Sequence, residues 1–303
     1  MVAVMGSDDY TTRVNRVIDH IRAHRAEELS VESLARVAAF SAFHFHRIFK
    51  AITGENLMEH VARIRLEGAA SALTTRPHAE ILEIALDHGF GSASAFARAF
   101  KERFGMTASE WRKASQADRN RCEAESKARE AAGLAAEQGG VMQNANVTVK
   151  HLLAYRVAYL RNIGPYGPGS GIPDLWQRLQ RWARARDLWT TDRLCLGITH
   201  DDPMITEAAK CRYDAAFVIP AGFAADGGVI VADIPGGKHA VLEFAGGVLD
   251  IGPAWGHIYA RWLPESGYQP DDRIGFELYK GEGAWDGASD QFRCDICVPI
   301  RPL

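Results

Sequence analysis

A ten-residue pattern occurs twice in this 303-residue chain, 51 positions apart. Ser41 to Lys50 (SAFHFHRIFK) is followed by Gly54, and Ser92 to Lys101 (SASAFARAFK) by Gly105. A repeat constrains architecture more than any single motif, because each copy must build the same local structure. Ser41 and Ser92 are good N-caps, since a serine hydroxyl can accept from an orphan amide of the first helical turn. Phe45, Ile48 and Phe49 fall at i, i+3 and i+4, one apolar stripe of a helix, and Phe96, Ala99 and Phe100 repeat it. Phe43, His46, Arg47 and Lys50 lie off the first stripe; Ala93, Ser94, Ala97, Arg98 and Lys101 lie off the second. Gly54 and Gly105 stand where a glycine ends a helix.

A shorter helix is expected before each copy, over Val31–Ala38 and Ile81–His88. Short helix, tight turn and capped second helix make a helix-turn-helix, whose second helix enters the major groove. Between the two units, Leu57 to Leu73 carries a helical apolar face (Val61, Ile64, Ala69, Ala72, Leu73). Seventeen residues make a helix of roughly 25 Å, against about 34 Å between successive major grooves on one face of DNA. Such a helix can hold two reading helices near one-turn spacing. His44 and His46 are i and i+2, which do not face each other on a helix, so no metal site is expected there. Lys50, Lys101 and Arg112 are candidate phosphate contacts, which position without specifying.

Residues 12–114 resemble the AraC/XylS DNA-binding domain. The match is carried by Ile84-Ala85-Leu86-Asp87-His88-Gly89-Phe90, then Ser94, Phe96, Arg98, Phe100-Lys101, Phe104-Gly105-Met106-Thr107 and Trp111-Arg112. The resemblance implies a seven-helix domain that contacts two adjacent major grooves of double-stranded DNA. The base-reading positions would fall on Phe43, His46 and Arg47, and on Ala93, Ser94 and Arg98, with Lys50 and Lys101 on phosphates. Ala42 and Ala93 depart from the larger polar residues common there; a methyl can meet only an apolar group such as that of thymine. Activation, with RNA polymerase as protein partner, is the usual output of such a family.

The net charge is −3 overall, +1 over residues 1–115, −1 over 116–146 and −3 over 147–303. Bulk charge therefore does not mark a nucleic-acid binder, and binding must rest on placed Arg and Lys. Five scattered cysteines without a framework suit a reducing compartment. If Cys294 and Cys297 lie on a strand they point to opposite faces, so no shared metal or redox pair is expected. No signal-peptide pattern or membrane-spanning run is seen, and a cytoplasmic, nucleoid-associated protein is expected.

Gln116 to Asn146 is rich in Ala, Glu, Arg and Lys and then broken by Gly139-Gly140, which reads as a linker between domains 1–115 and 147–303. The second domain repeats internally. A strand (149–161), helix (173–186) and two strands (194–199, 212–219) are followed by a strand (238–244), helix (253–263) and two strands (273–280, 292–300). Trp176 and Trp182 match Trp255 and Trp262; Arg212-Tyr213-Asp214 matches Arg293-Cys294-Asp295. The expected fold is an all-α double helix-turn-helix domain followed by an α+β domain of two strand-helix-strand-strand repeats, helices on one side of antiparallel sheet.

The second domain resembles GyrI-like effector-binding domains, through Gly164-Pro165-Tyr166, Trp176, Gly197-Ile198, Asp201-Asp202-Pro203, Cys211-Arg212-Tyr213-Asp214, Ile234-Pro235-Gly236-Gly237, Trp262-Leu263-Pro264-Glu265-Ser266-Gly267-Tyr268 and Phe276-Glu277-Leu278-Tyr279. The resemblance implies a small-molecule ligand, often a lipophilic cation, held between the two halves. Phe276 and Leu278 are expected to pack under the helices, leaving Glu277 and Tyr279 to face the ligand. Tyr166, Trp176, Trp255 and Tyr279 would wall a carboxylate that attracts a cation; for the indoles, plain core packing is an equal alternative. No cofactor or metal is expected. The leading reading is a non-enzymatic regulator. Its alternatives are a hydrolase using Glu277 with Tyr279 or Tyr166 as acid/base groups, or a domain that docks a protein partner.

Overall fold

In the computed structural model the described residues are 7–117, 146–167, 169–223, 228–285 and 291–303. Tertiary contacts divide the chain into compact units 1–117 and 118–303. Most of the expected linker, and Cys122, lie outside the described residues.

The first unit is helical: α1 (Ser7–Ala23), α2 (Val31–Val37), α3 (Ala42–Thr53), α4 (Leu57–Thr75), α5 (Ile81–Asp87), α6 (Ala93–Phe104) and α7 (108–117). The repeated stripe builds its cores. Phe45 and Phe49 pack with Val14, Val17, Ile18, Leu34, Val61 and Ile64, while Phe96 meets Phe100, and Phe100 meets Trp111 edge-on. Gly54 and Gly105 close α3 and α6 in the left-handed conformation, at φ 75° and 73°. Ser92 caps α6 through a bond from the Ala95 amide (3.2 Å), whereas Ser41 does not use its hydroxyl. The two serines differ in φ (−71° at Ser41, −159° at Ser92), so the same residue points its oxygen differently.

The linking helix α4 buries more than its apolar face: His60, Arg63 and Glu67 are buried too. Arg65 donates to the Arg25 carbonyl (2.9 Å) and the Glu27 carbonyl (2.6 Å), tying α4 to the end of α1. Gly89 (φ 77°) sits against that guanidinium; a Cβ there would lie 2.3 Å from the Arg25 carbonyl oxygen.

The second unit contains β1 (Val147–Leu152), β2 (Tyr155–Ile163), α8 (Ile172–Arg184), β3 (Leu194–Thr199), β4 (Arg212–Val218), β5 (Ile230–Ile234), β6 (Gly237–Gly247), α9 (Ile251–His257), β7 (Tyr268–Pro270), β8 (Phe276–Lys280) and β9 (Gln291–Pro302). The expected first strand is thus two, broken at Leu153-Ala154, and β5 is a strand not foreseen. The antiparallel order is β1-β6-β9-β8-β3-β4-β2-β5, with β7 on β9. This order mirrors about β8–β3. Each repeat gives its leading strand to the other: β1 pairs with β6, and β5 with β2.

Leu153-Ala154 connects β1, at one edge, to β2, six strand intervals away, and Pro235-Gly236 connects β5 to β6 in the mirrored way. Six intervals in a flat sheet span about 28 Å, while a two-residue connection reaches roughly 11 Å. The sheet must therefore roll until its margins meet. Gly236 records the meeting, since a Cβ there would lie 2.6 Å from the Leu152 carbonyl oxygen and the Ala154 nitrogen.

The inside of the roll holds Val157, Tyr159, Leu196, Ile198, Phe276, Leu278 and Cys297, without a helical residue. The outer face packs on Leu175, Leu179 and Trp182 of α8 and on Ala254, Ile258 and Leu263 of the second helical segment, together with Tyr279 and Cys294. The expected packing of Phe276 and Leu278 beneath the helices is reversed: they fill the roll, because a sheet with two hydrophobic faces needs a partner for each. Cys294 and Cys297 lie on opposite faces.

The second helical segment is continuous from Ile251 to Glu265 but passes through a π-helical stretch at Ile258–Trp262. That stretch explains why the matching tryptophans are six residues apart in α8 and seven apart here. A π-bulge absorbs one extra residue and keeps the helix going.

Candidate DNA-reading and ligand-binding sites

Helices α3 and α6 are the second helices of the two helix-turn-helix units. His46, Arg47 and Lys50 are exposed on α3; Ala93, Ser94, Arg98 and Lys101 are exposed on α6. The side chain of Phe43 lies outside the described residues. Burial of Phe45 and Phe49, and of Phe96 and Phe100, fixes the rotation of each helix and turns these positions outward. Arg112 is otherwise occupied: its guanidinium donates to the Ala79 carbonyl (2.8 Å), so it braces α7 rather than standing free for phosphate. Among the described residues no cluster of three or more His, Cys, Asp or Glu could hold a metal.

In the second unit, Glu277 is the residue around which the others gather. It is 5% exposed, on β8, directly opposite Gly197 of β3. The Trp255 indole N–H donates to its Oε1 (3.1 Å) and the Tyr279 hydroxyl to its Oε2 (2.8 Å). Burial pushes the carboxyl above its ordinary range, and the two hydrogen bonds pull it part of the way back. Among the described residues no basic side chain lies within ion-pair distance of it; its two hydrogen bonds come from Trp255 and Tyr279. An anion without a counter-charge in a buried position is costly and is relieved by a cation or a proton.

Trp176 of α8 extends the cluster. Its indole N–H donates to the Tyr213 hydroxyl (3.2 Å), and its ring meets Tyr279 edge-on at 5.6 Å. Trp176 and Trp255 are thus equivalent in the two repeats and in use, each spending its N–H on a buried oxygen of the sheet. Trp182 and Trp262 pack elsewhere, against Phe223 and Tyr268. Tyr166 stands one shell away. Its hydroxyl donates to the Arg212 carbonyl (2.7 Å), and its ring meets Tyr213 at 6.4 Å. The five expected residues therefore converge: Trp255 and Tyr279 bond Glu277, Trp176 packs on Tyr279, and Tyr166 joins through Tyr213. Burial, then the Glu277 charge, drives the Tyr213 and Tyr279 phenols well above their ordinary range, so both remain protonated donors.

Three members were missed in the sequence. Tyr213 lies at the centre of the aromatic group. Gly197 makes room for it, since a Cβ would stand 2.3 Å from the Tyr213 hydroxyl and 2.7 Å from Glu277 Oε2. Tyr259 stacks on Trp255 (6.4 Å, 14° between planes), and burial, then Asp202, pushes its phenol up to about 12. Tyr213 and Gly197 stood inside motifs already noted, and Tyr259 is i+4 from Trp255, so each carried a signal.

Beneath Tyr166 is a layer of buried ion pairs. Arg161 grips Asp214 with two bonds of 2.6 Å, His200 adds a third of 2.6 Å, and Arg212 holds Asp201. Burial alone would raise the Asp214 carboxyl, but Arg161 and His200 hold it far below its ordinary range.

Two outward-facing helices in a doubled helix-turn-helix, joined to a rolled sheet with a buried acid among aromatics, define a DNA-binding regulator with a small-molecule module. Comparison with known proteins agrees. Residues 145–301 match the GyrI-like small molecule binding domain, and residues 34–114 match a helix-turn-helix domain. The chain belongs to the GyrI-like family and carries that domain behind an AraC-type DNA-binding domain. The SPbeta prophage-derived protein YosT of Bacillus subtilis is 30% identical over 155 residues, 51% of this chain and 99% of YosT. The helix-turn-helix-type transcriptional regulator YbfP of B. subtilis is 39% identical over 97 residues, 32% of each chain. The transcriptional regulator Rob of Salmonella typhimurium is 37% identical over 98 residues, 32% of this chain and 33% of Rob. The match thus spans about a third of the length of YbfP and of Rob. No helix among the described residues is long and apolar enough to cross a membrane.

Proposed function

We propose that this regulator senses a small lipophilic cation at Glu277 and answers by changing transcription from sites read by α3 and α6. The observation that carries the reading is the buried Glu277 carboxylate, hydrogen-bonded by Trp255 and Tyr279 yet without a basic partner among the described residues. Aromatic faces around an uncompensated carboxylate suit an organic cation, which offsets the charge while its apolar body replaces water. On the DNA side, His46, Arg47, Arg98 and Ser94 would read bases, and Lys50 and Lys101 would hold phosphates. Activation through RNA polymerase, in the cytoplasm at the nucleoid, completes the proposal, as does a domain boundary within 116–146.

The Tyr279–Glu277 contact is also what a hydrolase would need, so the test must separate sensing from turnover. The full chain is melted against a panel of lipophilic cations, wild type beside Glu277→Gln, with the compound recovered and analysed afterwards. A ligand at 100 times its Kd should stabilise by about 2.7 kcal/mol. A shift in wild type that is absent in the variant, with compound intact, supports sensing. Consumed compound supports the hydrolase, and no shift with any cation removes the cation reading and favours a docked protein.

A further inference from the structure

The first unit contains a run of buried and half-buried charges that DNA contact does not explain. Glu55 lies in the joint between α3 and α4, after the Gly54 cap. Arg63 of α4 binds it through Nε to Oε1 and Nη2 to Oε2, both at 2.9 Å. The same guanidinium turns its Nη1 to Glu67 Oε2, also at 2.9 Å. The other oxygen of Glu67 accepts from Arg103 Nη2 at 3.2 Å, and Arg103 sits in the last turn of α6. His60 Nδ1 adds a 2.8 Å contact to Glu55, and its ring meets Phe49 of α3 edge-on. Two arginines and two glutamates thus form one chain from the end of the first reading helix to the end of the second. The side chains of Arg63 and Glu67 are each 7% exposed.

Stability does not require such a chain. Well-packed apolar residues commonly serve as well as a buried ion pair, whose attraction barely offsets desolvation. What charges supply and apolar contacts do not is direction: each bond holds within about half an ångström and weakens steeply once it bends below roughly 120°. A one-base-pair change between half-sites moves one reading helix by about 3.4 Å along the duplex and rotates it by roughly 34°. Arg103 cannot follow such a move and keep Glu67, and Glu67 cannot follow it and keep Arg63.

We propose that the Glu55–Arg63–Glu67–Arg103 chain sets the placement of α6 relative to α3 and thereby makes the protein select the number of base pairs between its two half-sites. Glu67 and Arg103 are positioning residues in this scheme, since they act through helices rather than on bases. The inference rests on the reading of α3 and α6 as the DNA-contacting helices.

The experiment uses the full chain and a DNA site selected by the wild type, with versions carrying one base pair more or fewer between the half-sites. Wild type should lose about tenfold or more in affinity on either altered site, on the scale of a defective base contact. In Arg103→Gln and in Glu67→Gln that ratio should shrink to about threefold or less, with the salt dependence unchanged. Arg103→Lys, which keeps the charge, should recover part of the selectivity. An equal loss on every spacing would show that the chain only supports folding and would overturn the proposal, as would an unchanged ratio in variants that melt like wild type. A slope of log affinity against log salt shallower by about 0.9 in Arg103→Gln would overturn it differently, making Arg103 a phosphate contact. If wild type selects no DNA at all, the underlying reading fails with it.

Discussion

Glu277, if it holds the cation as proposed, would set both the ligand and part of the pH behaviour of its domain. Burial raises its carboxyl above its ordinary range, so folding disfavours the charged form relative to the unfolded chain. A group raised in this way contributes stability that is full below its unfolded value, near 4.5, and is lost as pH rises through the folded value. Glu277→Gln removes that dependence. The variant should melt at or above wild type above pH 4.5, the difference growing toward neutrality, and should bind no cation; a variant less stable than wild type at pH 7 would contradict this. On the DNA side, Arg47→Ala and Arg98→Ala should each weaken binding to a selected site by about 1–3 kcal/mol if the guanidinium reads guanine in two places. Replacing Lys50 and Lys101 together by Gln should instead weaken all sequences alike and make the salt slope shallower by about 2. The arginine prediction fails if affinity for a selected site is unchanged. At this scale the outward set on α3 and α6 follows from the Phe stripe, and alternation along β8 puts Glu277 and Tyr279 on one face, while it was the family resemblance that singled out the carboxylate. Tyr213 stood inside a noted motif, but its role depends on the missing Cβ of Gly197 on the adjacent strand β3, which no spacing within one segment reveals.

At the scale of elements, the sequence was clear wherever one segment carries its own signal. The helices α2 to α6, the left-handed glycine caps and strand β3 fall within a residue or two of expectation. It failed where pairing partners are distant. The break at Leu153-Ala154, and the exchange of β1 and β5 between repeats, follow from how the sheet closes, and this also reversed which face Phe276 occupies. The register of β3 against β8 is what brings Gly197 to Glu277. Gly197→Ala should therefore overpack the site, lowering stability by about 1–3 kcal/mol and weakening cation binding. Its backbone needs no left-handed conformation, so a neutral result in chemical denaturation would mean that Tyr213 can move aside. The ion pairs at the end of β4 carry the opposite pH signature to Glu277. Asp214 is held low by Arg161 and His200, so its contribution is present above an unfolded value near 3.8 and disappears as pH falls through the folded value. Asp214→Asn leaves Arg161 buried without its anion and should cost roughly 3–5 kcal/mol at neutral pH, with the gap to wild type closing in strong acid.

For the whole molecule, the two units must exchange information if the cation is a signal. Coupling between two sites is a free energy, and it is reciprocal in binding. If cation at Glu277 changes affinity for DNA by some factor, DNA must change affinity for the cation by the same factor. We expect a factor of about five or more, in the usual range of such coupling. The measurement is two titrations on the full chain: cation binding with and without saturating selected DNA, and DNA binding with and without saturating cation. Equal ratios different from one would establish that the ligand acts on DNA affinity. Ratios of one in both, with cation still bound, would sink that expectation and move regulation to a later step, such as a contact with polymerase. Glu277→Gln, which binds DNA but not the cation, should give wild-type DNA affinity whatever cation is present. The Glu55–Arg63–Glu67–Arg103 chain, if it sets the placement of α6 as proposed, would be one route by which such coupling reaches the second helix. Coupling through that route would be strongest on the preferred half-site spacing and weak on a single half-site, where there is no second helix to misplace.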